Sequence, residues 1–279
     1  MKIGILTSIK DLASSAAKKR LIEKHSFEET TDYFDEFPIY RSSEFHEVIL
    51  VTSKSELVDS DHFNQLELDF GLIASRHASA SGKPALLVHS TGLWSDDESY
   101  GGKAHQLSLS SAALQGHTLR VLAQVAKDNH LEKVDLSLEV THHGPFLVNW
   151  PSVFIEIGST EEEWVNLAKV KVLEETIWQM IIDLQDPLWL DEGVSYIGFG
   201  GNHYASKFSK KVLEGWNVGH IIPKYYLAEL TEDQMIQAID QTLGRLKAVL
   251  VDRKGSKLPQ REMIKSVSEK LGLDYIRLG

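Results

Sequence analysis

Short apolar segments alternate with longer amphipathic segments along the 279-residue chain, and this pattern limits the possible fold more than any other feature. The apolar segments have strand-like length and are bounded by turn residues; examples are 2–7, 47–52 and 194–199. The longer segments repeat apolar residues at helical spacing, most clearly between Ser111 and Asn129. Strands that alternate with helices of ten or more residues predict a layered α/β/α fold with a mostly parallel central sheet.

The domain organisation predicted from the sequence is a single domain over residues 1–279, because no repeat, low-complexity segment or linker divides the chain. An acidic, aromatic-rich stretch at about 26–46 is predicted to be an irregular insertion. A basic stretch at about 245–279 contrasts with the net charge of -11. The negative total argues against general nucleic-acid binding, whereas the basic stretch favours contact with phosphates. A solvated helix face is the alternative interpretation of each charged stretch.

The chain has no cysteine, which excludes disulfides and thiolate metal ligands and favours a cytoplasmic protein. The N-terminal segment MKIGILTS is typical of a strand rather than of a signal peptide. Because no apolar run approaches the ~18–20 residues that span a bilayer, we expect no membrane partner. The sequence leaves the oligomeric state open, and we favour a monomer.

Ionisable side chains interrupt an apolar stretch at 136–158, LSLEVTHHGPFLVNWPSVFIEIG. Glu139, His142, His143 and Glu156 lie in or beside two segments that are typical of strands. An unpaired carboxylate buried in such a segment costs several kcal/mol, so these residues indicate a site rather than a core. Alternation along a strand places adjacent histidines on opposite faces. Both therefore reach one ligand only if the strand ends near His142, which the following Gly-Pro pair favours.

Histidines recur where predicted strands end or beside glycine, notably His77, His89, His203 and His220. Because ligands of open α/β sheets bind outside the carboxyl ends of the strands, we expect these residues to converge with the stretch 136–158. Imidazole and carboxylate donors without thiolate suit Zn²⁺, although the spacing matches no contiguous zinc motif. The alternative is a neutral histidine that acts as general base on water, oriented by a carboxylate.

Glycine-rich and aromatic segments supply candidates for substrate binding. Gly200 and Gly201 can offer backbone N–H groups to an oxyanion or a phosphate. Trp94 and Tyr204 can stack on a base, and Lys224 can contact a phosphate. The alternatives are a tight turn for the glycines, core packing for the aromatic rings and a solvated surface position for the lysine.

Five motifs, in this order, resemble the archaeal and plant type of D-aminoacyl-tRNA deacylase: SRHASASGKPALLVH, EVTHHGP, FIEIGSTEEEW, GFGGNHYASKF and GHIIPKY. The resemblance runs from about His77 to Lys224, with a further likeness in DRKGSKLPQRE. It implies hydrolysis of the ester between a D-amino acid and the tRNA 3′ end, as quality control of translation. It also implies zinc as cofactor and a fold related to peptidyl-tRNA hydrolase and phosphorylases. STGL and GGNHYASK depart from the family patterns PPGN and GGGHYAPR.

We therefore expect an ester hydrolase in which water is the nucleophile, because the chain has neither cysteine nor a GxSxG motif. Its partner would be D-aminoacyl-tRNA, bound through the acceptor end. The expected metal ligands are His89, Glu156, His203 and His220. The expected catalytic residues are Glu139, Thr141, His142 and His143, and the expected substrate-binding residues are Trp94, Gly200, Gly201, Tyr204 and Lys224. Another hydrolase or phosphorylase-type enzyme, or a non-catalytic tRNA-binding protein, remains the alternative.

Overall fold

Two sheets and the helices around them form the protein, whose computed structural model describes residues 1–191 and 193–279. The strands are β1 (Ile3–Ser8), β2 (Phe27–Phe34), β3 (Phe37–Ser42), β4 (Val48–Ser53), β5 (Phe70–Ala78), β6 (Ala85–His89), β7 (Ser110–Ser111), β8 (Asp135–Leu138), β9 (Ser152–Ser159), β10 (Ser195–Phe199), β11 (Asn217–Ile222), β12 (Thr242–Leu243), β13 (Leu246–Asp252) and β14 (Asp274–Leu278). The helices are α1 (Leu12–Lys24), α2 (Ala112–Asp128), α3 (Glu161–Trp164), α4 (Leu167–Asp183), α5 (Leu188–Asp191), α6 (Ser206–Leu213), α7 (Glu232–Asp240) and α8 (Leu258–Lys270).

The larger sheet has eight strands in the order β2-β3-β4-β1-β5-β9-β6-β8. Its centre, β4-β1-β5-β9, is parallel, and so is the pair β6-β8. The strands pair antiparallel along β2-β3-β4 and between β9 and β6. The smaller sheet, β11-β10-β13-β14, is parallel throughout. The mixed α/β fold with a mostly parallel central sheet is thus confirmed.

Alternating side chains divide the larger sheet into a helix-covered face and a face that has two parts. Leu72, Ile155 and Ile157 point to the first face and belong to the core that includes residues of α1, α2 and α4. Ile73 and Phe154 point the other way, into a smaller cluster beneath the turns at 57–65 and the loop before β9. Each such side chain contributes about 1.5–3 kcal/mol when fully buried. The rest of the second face is left for polar side chains.

The smaller sheet shares the first core and has a second core of its own. Tyr196, Val218 and Leu250 belong to the same buried cluster as the helix-covered face of the larger sheet. Phe199 and Val251 alternate with them and pack with α7 and α8 in a separate cluster. Within residues 1–191 and 193–279, no helix has the length and apolar character needed to cross a membrane.

The acidic stretch at 26–46 is a hairpin, so the prediction of an irregular insertion was wrong. Its two strands, β2 and β3, pair antiparallel and extend the edge of the larger sheet beside β4. Most residues of β2 are exposed, and the acidic Glu28, Glu29 and Asp32 are among them. Charges on an edge strand discourage pairing with other chains, which explains how a strand can have this composition.

The sequence predicts one long helix from 161 to about 184, with acidic residues in its first turn, but the structure has two helices there, α3 and α4. Asn166 ends the run, because its side chain accepts hydrogen bonds from the backbone N–H groups of Ala168 and Lys169 and so caps α4. Helix α6 was not predicted, since only eight residues separate the glycine-rich segment from the next turn.

Candidate active site

A cavity of about 680 Å³, here called the main cavity, lies on the polar part of the second sheet face. Its lining combines histidines and carboxylates with tyrosines, and it draws on both sheets. The volume is typical of a small-molecule site. Residues from the sequence-predicted site that line it are Trp94, Thr141, His142, His143, Glu156 and His203.

Strand register places three of the ionisable groups on this face. Glu156 lies opposite Ser75 on β5 and Leu87 on β6, His77 lies opposite Gly158, and His89 lies opposite Phe154. Paired residues and residues two apart share a face, so His77, His89 and Glu156 point the same way. Because β6 runs antiparallel to β9, the site spans the middle of β9. The expectation that all these residues leave carboxyl ends at one sheet edge is therefore wrong.

Glu139 lies where the two sheets meet. It directly follows β8 and forms an isolated bridge with Tyr204. On either side, the N–H of Val140 donates to the carbonyl of His203 at 3.0 Å, and the N–H of Ala205 donates to that of Leu138 at 2.9 Å. This backbone pairing brings His203 Nε2 to 2.9 Å from Glu139 Oε1.

His142 and His143 both face the main cavity although they are adjacent in sequence. The predicted condition for this arrangement, an early strand end, is met because β8 stops at Leu138. His143 also has a φ of 41°, which turns its side chain out of strand alternation. The ring centroids of His142 and His143 lie 4.4 and 4.8 Å from that of His89.

Two buried carboxylates, Glu156 in the wall of the main cavity and Glu139 beside it, make this region strongly negative. His77 Nδ1 lies 3.4 Å from Glu139 and 3.5 Å from Glu156, and His89 Nε2 lies 3.6 Å from Glu156. Burial opposes protonation of His77, but the hydrogen bonds and charge of Glu139 and Glu156 raise its pKa to about 11. Burial also opposes protonation of His89, but the hydrogen bond and charge of Glu156 outweigh it, so the pKa of His89 is raised as well. The wall therefore favours positive charge beside it.

Backbone hydrogen bonds fix the tautomers of three histidines. His89 Nδ1 donates to the carbonyl of Ser90 at 3.2 Å. In the same way, His142 Nδ1 donates to the carbonyl of Val140 at 2.8 Å, and His143 Nδ1 donates to that of Gly144 at 2.5 Å. Burial, with the neighbouring imidazoles, lowers the pKa of His142 well below its usual value and that of His143 to about 4. The rings of His142 and His143 are therefore neutral at pH 7, and the Nε2 lone pair of each is free for a ligand.

The donor atoms fit a metal ion. Among the residues the structure describes, His89 Nε2 and both carboxylate oxygens of Glu139 are buried without a hydrogen-bond partner. Unsatisfied buried polar atoms call for an explanation, and a bound cation supplies one. Three groups bring their donor atoms within 4.8 Å of one another: His89, His142 and His143; His77, Glu139 and His203; and His89, Glu139 and Glu156. Imidazole and carboxylate donors, with tautomers fixed through Nδ1, are those zinc uses.

The structure does not bring His220 into this cluster. The ring is fully buried, and both nitrogens are engaged: Nε2 donates to the carbonyl of Ser108 at 3.0 Å, and Nδ1 accepts from the hydroxyl of Thr141 at 3.0 Å. That hydroxyl also accepts the N–H of Ile221 at 3.1 Å. Thr141 lines the main cavity, but its hydroxyl proton is committed to His220. We therefore interpret this pair as structural.

The expected substrate-binding residues fall in different places. Trp94 lines the main cavity but is only 4% exposed, and its Nε1 donates to the carbonyl of Thr141, so it forms part of the wall. The hydroxyl of Tyr204 lies 3.2 Å from His77 Nε2 and orients that ring. Gly201 and Lys224 line a separate, smaller cavity. The N–H of Gly200 donates to the carbonyl of Ile222 and is not available to a substrate.

Sequence reasoning left several cavity residues out of the predicted site. His77 was noted only as a histidine at a strand end. The sequence predicts Asp11 only as a helix cap; in the structure it caps α1, but it also accepts the N–H of Arg76 and lines the cavity. Burial raises the pKa of Asp11 to about 6. Tyr100 and Tyr225 lie in irregular segments around the cavity, where no periodic pattern could point to them.

The fold and the cavity together define an α/β protein with a buried histidine–carboxylate site of the kind that activates water. A family model of D-aminoacyl-tRNA deacylase matches residues 64–276. The D-aminoacyl-tRNA deacylase of Thermococcus onnurineus (strain NA1) is 36% identical over 285 aligned positions, which cover 99% of this chain and 100% of the relative. That of Methanocaldococcus jannaschii is 29% identical over 283 positions, with full coverage of both chains. The chain belongs to the D-aminoacyl-tRNA deacylase family, which confirms the resemblance of the motifs.

A solved structure shares the fold over nearly the whole chain. The crystal structure of the conserved protein of unknown function AF0625 superposes with a TM-score of 0.86 and 26% sequence identity. The match covers 99% of this chain and 94% of that one.

Proposed function

We propose that this protein hydrolyses the ester between a D-amino acid and the 3′ end of tRNA, and so releases free D-amino acid and tRNA. One observation carries the proposal: in a member of this family, neutral imidazoles and the buried carboxylate of Glu156 gather at the main cavity, beside Glu139, whose carboxylate has no hydrogen-bond partner among the described residues. Such a cavity suits attack of water on an ester and contains no cysteine nucleophile.

We propose zinc as the cofactor, held by Nε2 of His89, His142 and His143 with Glu156 beside them. Their fixed tautomers, the free Nε2 atom of His89 and the neutral state of the other two rings support this choice of ligands. When bound, zinc lowers the pKa of a coordinated water towards ~7 and polarises a carbonyl. This set keeps His142 and His143 of the predicted site, but as ligands rather than as catalytic bases.

Proton transfer is assigned to His203, with Glu139 as the residue that orients it. His203 Nε2 lies 2.9 Å from Glu139 Oε1, which leaves Nδ1 as the ring atom that takes up a proton. Water attacks the ester carbonyl carbon while its proton passes to His203 Nδ1. The bond between that carbon and the 3′ oxygen then breaks, and the proton moves to the departing oxygen.

The mouth of the cavity suits the terminal base of the acceptor end. Tyr100 is 71% exposed and Tyr225 is 49% exposed, although both line the cavity. Exposed aromatic faces are where unpaired bases stack, at roughly 1–3 kcal/mol per base. We assign base contact to these tyrosines instead of the buried Trp94.

The test is turnover of D-tyrosyl-tRNA by His142→Ala, His143→Ala and His203→Ala, with His117→Ala as the control. His117 is a half-buried histidine on α2 that pairs with Asp183 far from the cavity. We expect the three cavity variants to fold and to lose deacylation, whereas the control retains it. Wild-type turnover in all three would show that the site is wrongly assigned.

Zinc dependence has its own test. Chelation should abolish turnover, and added Zn²⁺ should restore it. Metal analysis of His143→Ala should find about one zinc ion fewer per chain than in the wild type. Full activity of metal-free protein would contradict the zinc proposal and leave a histidine base alone to activate water.

Two competing functions are separable in the same assays. Another hydrolase or phosphorylase on this fold would be inhibited by free peptide or adenosine and would leave the tRNA ester intact. A non-catalytic protein would bind tRNA in a salt-dependent way without turnover.

We also propose that residues 1–279 act as one domain, because one buried cluster includes side chains from both sheets.

A further inference from the structure

A second cavity of about 260 Å³ borders the segment that carries His203. Gly201, Asn202 and Tyr204 line it, while His203 between them lines the main cavity. Two residues of chain span at most about 7 Å, so the two cavities are close neighbours. The site proposed above makes no use of this second cavity.

Three lysines give the second cavity its charge. Lys207, Lys224 and Lys254 line it, and Asp252 is the acidic residue among them. Asp252 is 7% exposed and accepts from Lys207 Nζ at 2.5 Å, so it neutralises one lysine. Lys224 and Lys254 are exposed. Lysines gathered around a concave surface with one compensating acid favour an anion there.

Backbone geometry adds uncharged donors to the same place. Helix α6 begins at the cavity wall, and no side chain from the described residues caps its first turn. The N–H of Ser206 donates to the carbonyl of Tyr204 at 2.9 Å, whereas the N–H groups that follow it in the first turn carry a partial positive charge, which suits a phosphate. Gly201 has a φ of 93°, and a Cβ on Gly255 would lie 2.4 Å from the backbone nitrogen of Gly201. The two loops can therefore approach this closely only with glycine.

We propose that the second cavity binds the phosphate nearest the scissile ester, which is the 5′ phosphate of the terminal tRNA nucleotide. The inference rests on the proposed function, because it is the position of the ester near His203 that selects this phosphate. Only one ribose separates the ester oxygen from that phosphate, which matches two cavities that share one short segment of wall. Binding there holds the ester over the main cavity without reading the base.

The experiment compares two small substrates, the 3′-O-D-tyrosyl esters of adenosine and of adenosine 5′-monophosphate. We expect wild-type protein to prefer the phosphorylated ester by about tenfold or more in kcat/KM, mainly through KM, since a charge-assisted contact of this kind is lost with adenosine. Lys254→Glu should bring the ratio close to one while hydrolysis of the adenosine ester stays within twofold. The matched control is Lys210→Glu, which replaces an exposed lysine further along α6 and should keep the preference.

A second variant separates binding from folding. Ser206→Asp places a carboxylate in the first turn of α6, where it stabilises the helix but repels a phosphate. We expect an equal or higher Tm together with loss of the preference. A wild-type ratio of one, or an unchanged ratio in both cavity variants, would overturn the subsite.

Failure of the proposed function has a different signature. If wild-type protein hydrolyses neither ester, calorimetric binding of adenosine 5′-monophosphate against adenosine still decides the subsite. Tighter binding of the monophosphate that is lost in Lys254→Glu supports it, and equal binding overturns it. Inorganic phosphate is the probe for the other source of this chemistry. Binding of inorganic phosphate that leaves hydrolysis of the monophosphate ester unaffected would assign the cavity to a free anion and refute the proposal.

Discussion

His220 provides a quantitative test of its assignment as a structural residue rather than a metal ligand. The folded protein keeps the ring neutral, because burial lowers its pKa from 6.5 to about 4. An unfolded chain binds the proton more readily, so the stability that His220 contributes is complete above pH 6.5 and is lost as the pH falls through 4. From these two values, about 2 kcal/mol is lost at pH 5 and about 3 kcal/mol at pH 4.

The variant His220→Gln removes this titration and keeps an amide donor near the carbonyl of Ser108. Urea unfolding of metal-free wild type and variant is measured by circular dichroism at pH 7.5 and pH 5. We expect the variant to be less stable at pH 7.5, because the hydroxyl of Thr141 loses its acceptor, and the gap between the two proteins to shrink by about 2 kcal/mol at pH 5. Zinc content should not change.

Two results would refute this reasoning. A gap of the same size at both pH values would mean that His220 does not carry the acid sensitivity. Loss of zinc from His220→Gln would return His220 to the metal ligands and would contradict the hydrogen bonds that occupy both ring nitrogens.

Three further variants test separate parts of the structure. Glu139→Gln should reduce turnover about 100-fold or more and lower the pKa of the neighbouring imidazoles, followed by NMR, whereas an unchanged rate would remove Glu139 from the mechanism. Gly71→Ala should cost about 1–3 kcal/mol in thermal unfolding, because a Cβ there would lie 2.4 Å from the buried ring of Trp150. Asn166→Ala should cost about 1 kcal/mol by removing the cap of α4, and no loss in urea unfolding would show that α3 and α4 do not need it.

Local pattern was enough to predict the fold class and to point to part of the candidate site. Apolar strands alternating with amphipathic helices predicted an α/β fold with a mostly parallel sheet, and ionisable residues in apolar surroundings pointed to Glu139, His142, His143 and Glu156. These residues were readable because burial of a charge is costly wherever the strand lies. The Gly-Pro pair that follows them also indicated the early strand end that lets both histidines face one cavity.

What the sequence could not provide was the partner of each strand. His77 and His89 meet across Glu156 only because β6 runs antiparallel to β9, and nothing in either segment specifies that direction. His220 looked equivalent to His203, since both lie shortly after a glycine near a strand. The difference is the Thr141 hydroxyl, which tertiary packing places against one ring and not the other.

The backbone hydrogen bonds around Glu139 make the geometry of the site depend on the attachment of the smaller sheet to the larger one. Hydrogen bonds from Val140, Thr141 and Ala205 join the end of β8 to the smaller sheet, and Glu139 sits among them. If heat loosens one sheet from the other, the carboxylate and His203 separate even while the core of the smaller sheet with α7 and α8 stays intact. Thermal inactivation should therefore follow detachment of the smaller sheet, and a partly open molecule would be inert rather than slow or unselective.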